Sequence, residues 1–307
     1  MSRFKTLLAV GIAVLLIGFF MLSRIQEPMS PSHKVVSVTT FALYDIVRNL
    51  APKDVEVYMV LPFGADIHAY EPTPKSMAKI ESSLLLISSG AGLEPWLESV
   101  GANQNHIDVS RHVNLLHNEH GCEHEGHHND AHESRIDPHY WLSIKNMKSA
   151  TELIASLLEK EFSHAKESIE TQKNIYIKKL DELDMEYRVR IQDCEQERIF
   201  VNHNAFGYLA HEYHFEVESL LGLSSDEQPS AKRMSELASH VREDHIKTIF
   251  FESFSNSKAM QSVADELHVN IEVLEPLANV SEKNAQSSYI DLMQQNLDKI
   301  AKALECR

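Results

Sequence analysis

The chain has 307 residues, with 29 basic against 45 acidic side chains and a formal charge of −16 at neutral pH. That balance disfavours nucleic acid and anionic lipid as partners and mildly attracts cations. The three cysteines, Cys122, Cys194 and Cys306, form no C-x-x-C, so neither a thiolate zinc site nor a thioredoxin motif is indicated. In an oxidising compartment Cys194 and Cys306 could pair, which spacing alone cannot establish.

Arg3 and Lys5 precede an apolar run from Leu7 to Leu22, so residues 1–28 are predicted to be a secretory signal peptide or a single uncleaved membrane anchor. No small-residue cleavage pattern lies at residues 21–26, and no Cys follows the run for lipid attachment. Either form places the protein outside the cytoplasm, in the periplasm or on the outer face of the cytoplasmic membrane. The remaining roughly 280 residues suffice for two domains with real cores.

Residues 33–163 alternate strand and helix signals. Val35 to Phe41, Val55 to Val60 and Leu84 to Ile87 are apolar, β-rich runs, separated by helical patterns at Tyr44 to Leu50 and Pro74 to Glu81. Between Arg111 and Ser134 comes a tract that carries His117, His120, His124, His127, His128 and His132 among acids, with almost nothing apolar. Such a segment cannot bury enough surface to offset its ordering entropy, and its side chains suit zinc, so residues 117–133 are predicted to be a loop offering extra weak zinc sites. HEGHH within it satisfies the H-E-x-x-H pattern of zinc peptidases, but that motif works only on a packed helix. Here a Gly interrupts it and no apolar periodicity flanks it.

No Gly or Pro occurs from Trp141 to Phe206, and Ile169, Tyr176, Leu180, Leu183, Tyr187 and Ile191 recur at helical spacings. One continuous helix over residues 164–193, about 45 Å long, is predicted to run between the halves. Lys173 interrupts the stripe and heptads are not sustained, which favours packing on the chain's own domains over a coiled-coil dimer. Residues 196–307 then repeat the first pattern, with strands at Ile199 to Asn202, Thr248 to Phe251 and Val269 to Leu274, and helices at Ala205 to Tyr213, Ser230 to Asp244 and Lys258 to Leu267. The expected fold is α/β: two similar lobes, each a mainly parallel sheet flanked by helices, with ligands beyond the carboxyl ends of the strands.

Four motifs end a strand or begin a loop: GADIHAYEPTP, DPHYWLS, FVNHNAFGYLA and VLEPLAN. They carry His68, His139, His203 and Glu275. Pro72 and Pro74 stiffen the loop after His68, Pro138 fixes the approach to His139, and Trp141 can wall off water behind it. Three imidazoles and one carboxylate from four loops would make a four-coordinate site.

These motifs, together with the loop GLSSDEQPSAKRMSEL and the final stretch YIDLMQQNLDKIAKAL, closely resemble, in order, the signatures of the periplasmic zinc and manganese receptors of ATP-binding-cassette importers. The resemblance runs from about residue 35 to the C-terminus. It implies two lobes joined by a rigid helix, a metal in the interlobe cleft, and delivery to a membrane permease. In zinc-selective members a histidine-rich loop precedes the second ligand, as residues 117–132 precede His139 here. Manganese receptors typically carry Glu at the third position and Asp at the fourth. His203 therefore points to Zn²⁺ over Mn²⁺, since nitrogen ligands suit zinc. Ile67 stands where some members place a carboxylate, which leaves Glu275 or water as fourth ligand. The chain is expected to be a monomeric, non-enzymatic receptor. A manganese receptor, a surface adhesin and a secreted zinc hydrolase are the alternatives.

Overall fold

The computed structural model describes residues 34–100, 105–118, 135–225, 227, 230–252 and 258–307. The N-terminal apolar run, Cys122 and the histidine tract beyond Asn118 lie outside them. Among the described residues no helix is long and apolar enough to cross a membrane.

The first lobe is a four-stranded sheet of β1 (Lys34–Val38), β2 (Val55–Met59), β3 (Leu85–Ser88) and β4 (His106–Asp108), in the order β2-β1-β3-β4. β3 runs parallel to both β1 and β4. Its four residues, LLIS, are all buried, as a strand covered on both faces requires. Helices α1 (Phe41–Leu50) and α2 (Pro74–Glu81) belong to this lobe. Phe41, taken from sequence as a strand end, instead opens α1, because the strand stops at Val38 and Thr40 adopts the extended N-cap conformation. Two short strands, β5 (His117–Asn118) and β6 (Arg135–Ile136), pair antiparallel and bracket the histidine tract.

The expected interlobe helix over residues 164–193 is preceded by another for which no expectation was stated. α3 (Ile144–Glu161) ends at Phe162, a 3₁₀ turn spans Ser163–Ala165, and α4 runs from Lys166 to Arg190, about 37 Å. Ile169, Tyr176, Leu180, Leu183 and Tyr187 form the buried stripe of α4. Two tyrosines on that stripe pin α4 to other elements. Tyr176 donates to the Asp45 carboxylate of α1 at 2.7 Å, and Tyr187 donates to Met293 O of α8 (Tyr289–Ala303) at 2.8 Å.

The second lobe has β7 (Arg198–Val201), β8 (Glu216–Ser219), β9 (Thr248–Glu252) and β10 (Asn270–Leu274), all parallel, in the order β10-β9-β7-β8. By order of appearance this is the same 2-1-3-4 arrangement as the first sheet. Helices α5 (Gly207–Tyr213), α6 (Ala231–Glu243) and α7 (Lys258–Leu267) alternate with the strands. Cys194 and Cys306 form a disulfide across a sequence separation of 112, tying the exit of α4 to the C-terminus. In each sheet the order reverses beside the first strand, which makes a crevice beyond the carboxyl ends of β1 and β3 and another beyond β7 and β9.

Candidate metal centre

The second crevice carries the first histidine to consider. His203 lies two residues past β7, and Glu252 is the last residue of the neighbouring β9. Register pairing of Val201 with Phe250 sets these strand ends side by side. His203 Nδ1 and Glu252 Oε1 consequently meet as a buried ion pair, their side chains 3% and 1% exposed. Burial by itself favours the neutral imidazole. The Glu252 charge and its hydrogen bond, with smaller help from Asp66 and Asp137, outweigh that and leave the His203 pKa raised.

His139 comes from the other lobe, on the turn between β6 and α3. Asp137 accepts its backbone N–H at 2.9 Å and its ring Nδ1 at 2.8 Å, and both side chains are 1% exposed. Trp141, fully buried, packs edge-on against the imidazole with ring centres 5.5 Å apart and donates its indole N–H to Pro276 O at 2.7 Å. It backs the site as the sequence suggested.

His68 sits on a single 3₁₀ turn, Ile67–Ala69, capped by Asp66, whose Oδ1 accepts His68 N–H at 3.0 Å. It is the most exposed of the three histidines.

The ligand atoms of His68, His139 and His203 all lie within 4.8 Å of one another, the one such group among the described residues. Because a carboxylate engages Nδ1 of both buried rings, Nε2 of each faces inward, and the two Nε2 atoms are 3.4 Å apart. Two nitrogens on a tetrahedral ion with bonds of about 2.0–2.1 Å lie roughly 3.3–3.4 Å apart. The 3.4 Å between the two Nε2 atoms would suit two nitrogens on one such ion.

Glu275 does not join this group. Its backbone N–H and C=O pair with the Asn296 side chain at 3.0 and 2.8 Å, and Asn284 donates to its Oε1 at 2.9 Å. It anchors the start of the loop Glu275–Val280 to α8. That loop in turn holds the first lobe: Phe41 N–H donates to Ala278 O at 2.8 Å, and the Asn279 side chain donates to Pro62 O and Ala65 O, both at 2.7 Å. Ending a strand next to Pro made Glu275 look like a ligand, whereas the three-histidine group forms without it and its Oε1 accepts from Asn284.

Asp66, Asp137 and Glu252 were not assigned roles from sequence. A signal for two of them was present: the spacing D-x-H occurs at both Asp66–His68 and Asp137–His139, and each aspartate accepts the N–H of the histidine two residues on. Glu252 had none, because its partner is 49 positions away across a sheet.

Residues 36–303 match the family described as "ZnuA: Zinc-uptake complex component A periplasmic". The chain is 32% identical over 286 residues to the high-affinity zinc uptake system protein ZnuA of Bacillus subtilis, covering 90% of this chain and 89% of that protein. It is 30% identical over 283 residues to the zinc-binding protein AdcA of Streptococcus pyogenes, covering 86% of this chain but 55% of that longer protein. Among solved structures, the Zn(II)-bound ZnuA-like domain of Streptococcus pneumoniae AdcA superposes with a TM-score of 0.72 at 28% identity, covering 89% and 99% of the two chains. With this match along nearly its whole folded length, the chain belongs to the ZnuA family of periplasmic zinc-uptake components.

Proposed function

We propose that this protein is an extracytoplasmic receptor that captures Zn²⁺ through His68, His139 and His203 and delivers it to the membrane permease of an ATP-binding-cassette importer. The observation that carries this reading is the convergence of three imidazoles from both lobes, two of them backed by buried carboxylates. Neutral nitrogen donors favour zinc over manganese, which prefers oxygen. Asp137 and Glu252 stand directly behind two of the ligands, so the acids that favour a divalent cation lie outside its coordination shell. Zinc would arrive from the side of His68, and water would take the fourth position in place of Glu275. The histidine tract would supply weak, fast-exchanging sites that raise the local zinc concentration. Release to the permease would then require separating ligands that belong to different lobes, a transfer and not a catalytic step.

Calorimetric titration against a competing chelator tests this. One tight zinc per molecule is expected in the whole chain and after deletion of residues 119–134, and none in His139→Ala. Tight binding that survives His139→Ala and vanishes with the loop deletion would make the histidine tract the receptor instead.

A further inference from the structure

The loop that follows β8 contacts the turns of two of the three histidines, which lie on opposite lobes. On its own lobe, Leu221 N–H donates to Asn202 O and Asn204 N–H donates to Gly222 O, both at 2.8 Å, so the loop is paired with backbone on either side of His203. The Glu227 carboxylate accepts Gly222 N–H at 2.9 Å and closes the loop on itself. Across the cleft, the Ser225 hydroxyl donates to Asp66 Oδ2, while the other oxygen of that carboxylate caps His68. The loop thus joins the His203 turn to the His68 turn, hydrogen-bonded at each end and without passing through a metal.

We infer that Asp66 and Ser225 are positioning residues that latch the outermost zinc ligand to the second lobe and set how slowly zinc leaves. The inference rests on the zinc-receptor reading above. His68 needs such a device more than the other two ligands do. Its 3₁₀ turn is only three residues long, and it is the least buried of the three. The root of its loop is fixed separately, by Asn279 at Pro62 and Ala65 and by Gly64 N–H on Val280 O at 2.9 Å. Ser225 acts at the other end, next to the ligand. Its loss therefore frees the His68 turn while the lobes stay joined. Zinc bound by all three imidazoles departs by losing one ligand first, and the latch makes His68 the costly one to lose.

The test is zinc release from the full chain into excess chelator by stopped flow, with association followed separately. Ser225→Ala is expected to release zinc roughly tenfold faster, as loss of one charge-assisted hydrogen bond implies, with association changed by less than about twofold. Asp66→Ala should release faster still, since the cap on His68 goes too. Ser225→Thr keeps the hydroxyl and should restore slow release. An unchanged release rate in Ser225→Ala, with one zinc still bound, overturns the latch. So does an equal acceleration in Ser225→Thr. A wild-type chain that binds no zinc tightly overturns the receptor reading instead.

Discussion

Each buried histidine at the centre has two ring nitrogens and two tasks. Nδ1 is given to a carboxylate, and Nε2 is thereby left as the inward lone pair, so Asp137 and Glu252 choose the tautomer before any ion arrives. Glu252 also holds a proton competitor in place, because its charge raises the His203 pKa. A raised imidazole is protonated at a higher pH than usual, so zinc affinity should begin to fall above the ordinary histidine range of about 6.5 as the solution is acidified. In Glu252→Gln the imidazole loses that support. We expect zinc affinity at pH 8 to drop by roughly 10- to 100-fold and the acid-induced loss to begin at a lower pH. Competition titrations from pH 5 to pH 8 read both, and superimposable wild-type and variant profiles would remove Glu252 from the account.

At the scale of elements, α4 packs by a buried stripe and is pinned by two tyrosines, one to α1 and one to α8. Leu180, in mid-stripe, is fully buried. Leu180→Ala should cost about 2–5 kcal/mol in urea unfolding, whereas Met185→Ala, at a residue 66% exposed on the same helix, should stay within about 0.5 kcal/mol. Comparable losses at both positions would mean that the helix is not seated as described. Legibility in the sequence followed physical signal strength. Continuous β-branched and aromatic runs such as TIFF and the apolar stripe of α4 were readable to within a few residues. The start of α4 near residue 164 was placed, but α3 before it was not read as a helix of its own, since neither Gly nor Pro marks the turn at Ser163–Ala165 that ends it. β4 is three residues long, and β8 reads EVES, too short and too polar to announce strands. Likewise His68 and His139 stood out by their flanking prolines and His203 by its place at a strand end, while Glu252 and Ser225 act on residues distant in sequence and only folding brings them near.

In the whole molecule, the chain end is secured to the backbone helix by covalent chemistry. Cys194–Cys306 encloses the entire second sheet, and Gln196 N–H donates to Leu304 O at 2.9 Å alongside it. A closed loop of this size restricts the unfolded chain by roughly 4–5 kcal/mol in the chain-entropy account. Cys194→Ser should therefore lower the thermal midpoint, and a reductant should destabilise the wild type but leave the variant unmoved. Equal responses of the two proteins to reductant would show that the bond is absent in solution.

The shared 2-1-3-4 strand order gives the protein two equivalent crevices, and the first is already occupied from within. Glu94, buried beside the ends of β1 and β3, receives Thr39 Oγ1 at 2.5 Å and the N–H groups of Ser89 and Gly90, each at 2.9 Å. Burial pushes its carboxyl up to about 7, against the pull of those three donors. The twin crevices thus have opposite polarity: one is a ring of donors satisfied by an internal acid, and the other presents an acid that orients the His203 imidazole toward His139. A molecule built twice on one plan in this way has, among the described residues, one group of side chains placed to hold a metal, and only one of its two crevices contributes to it.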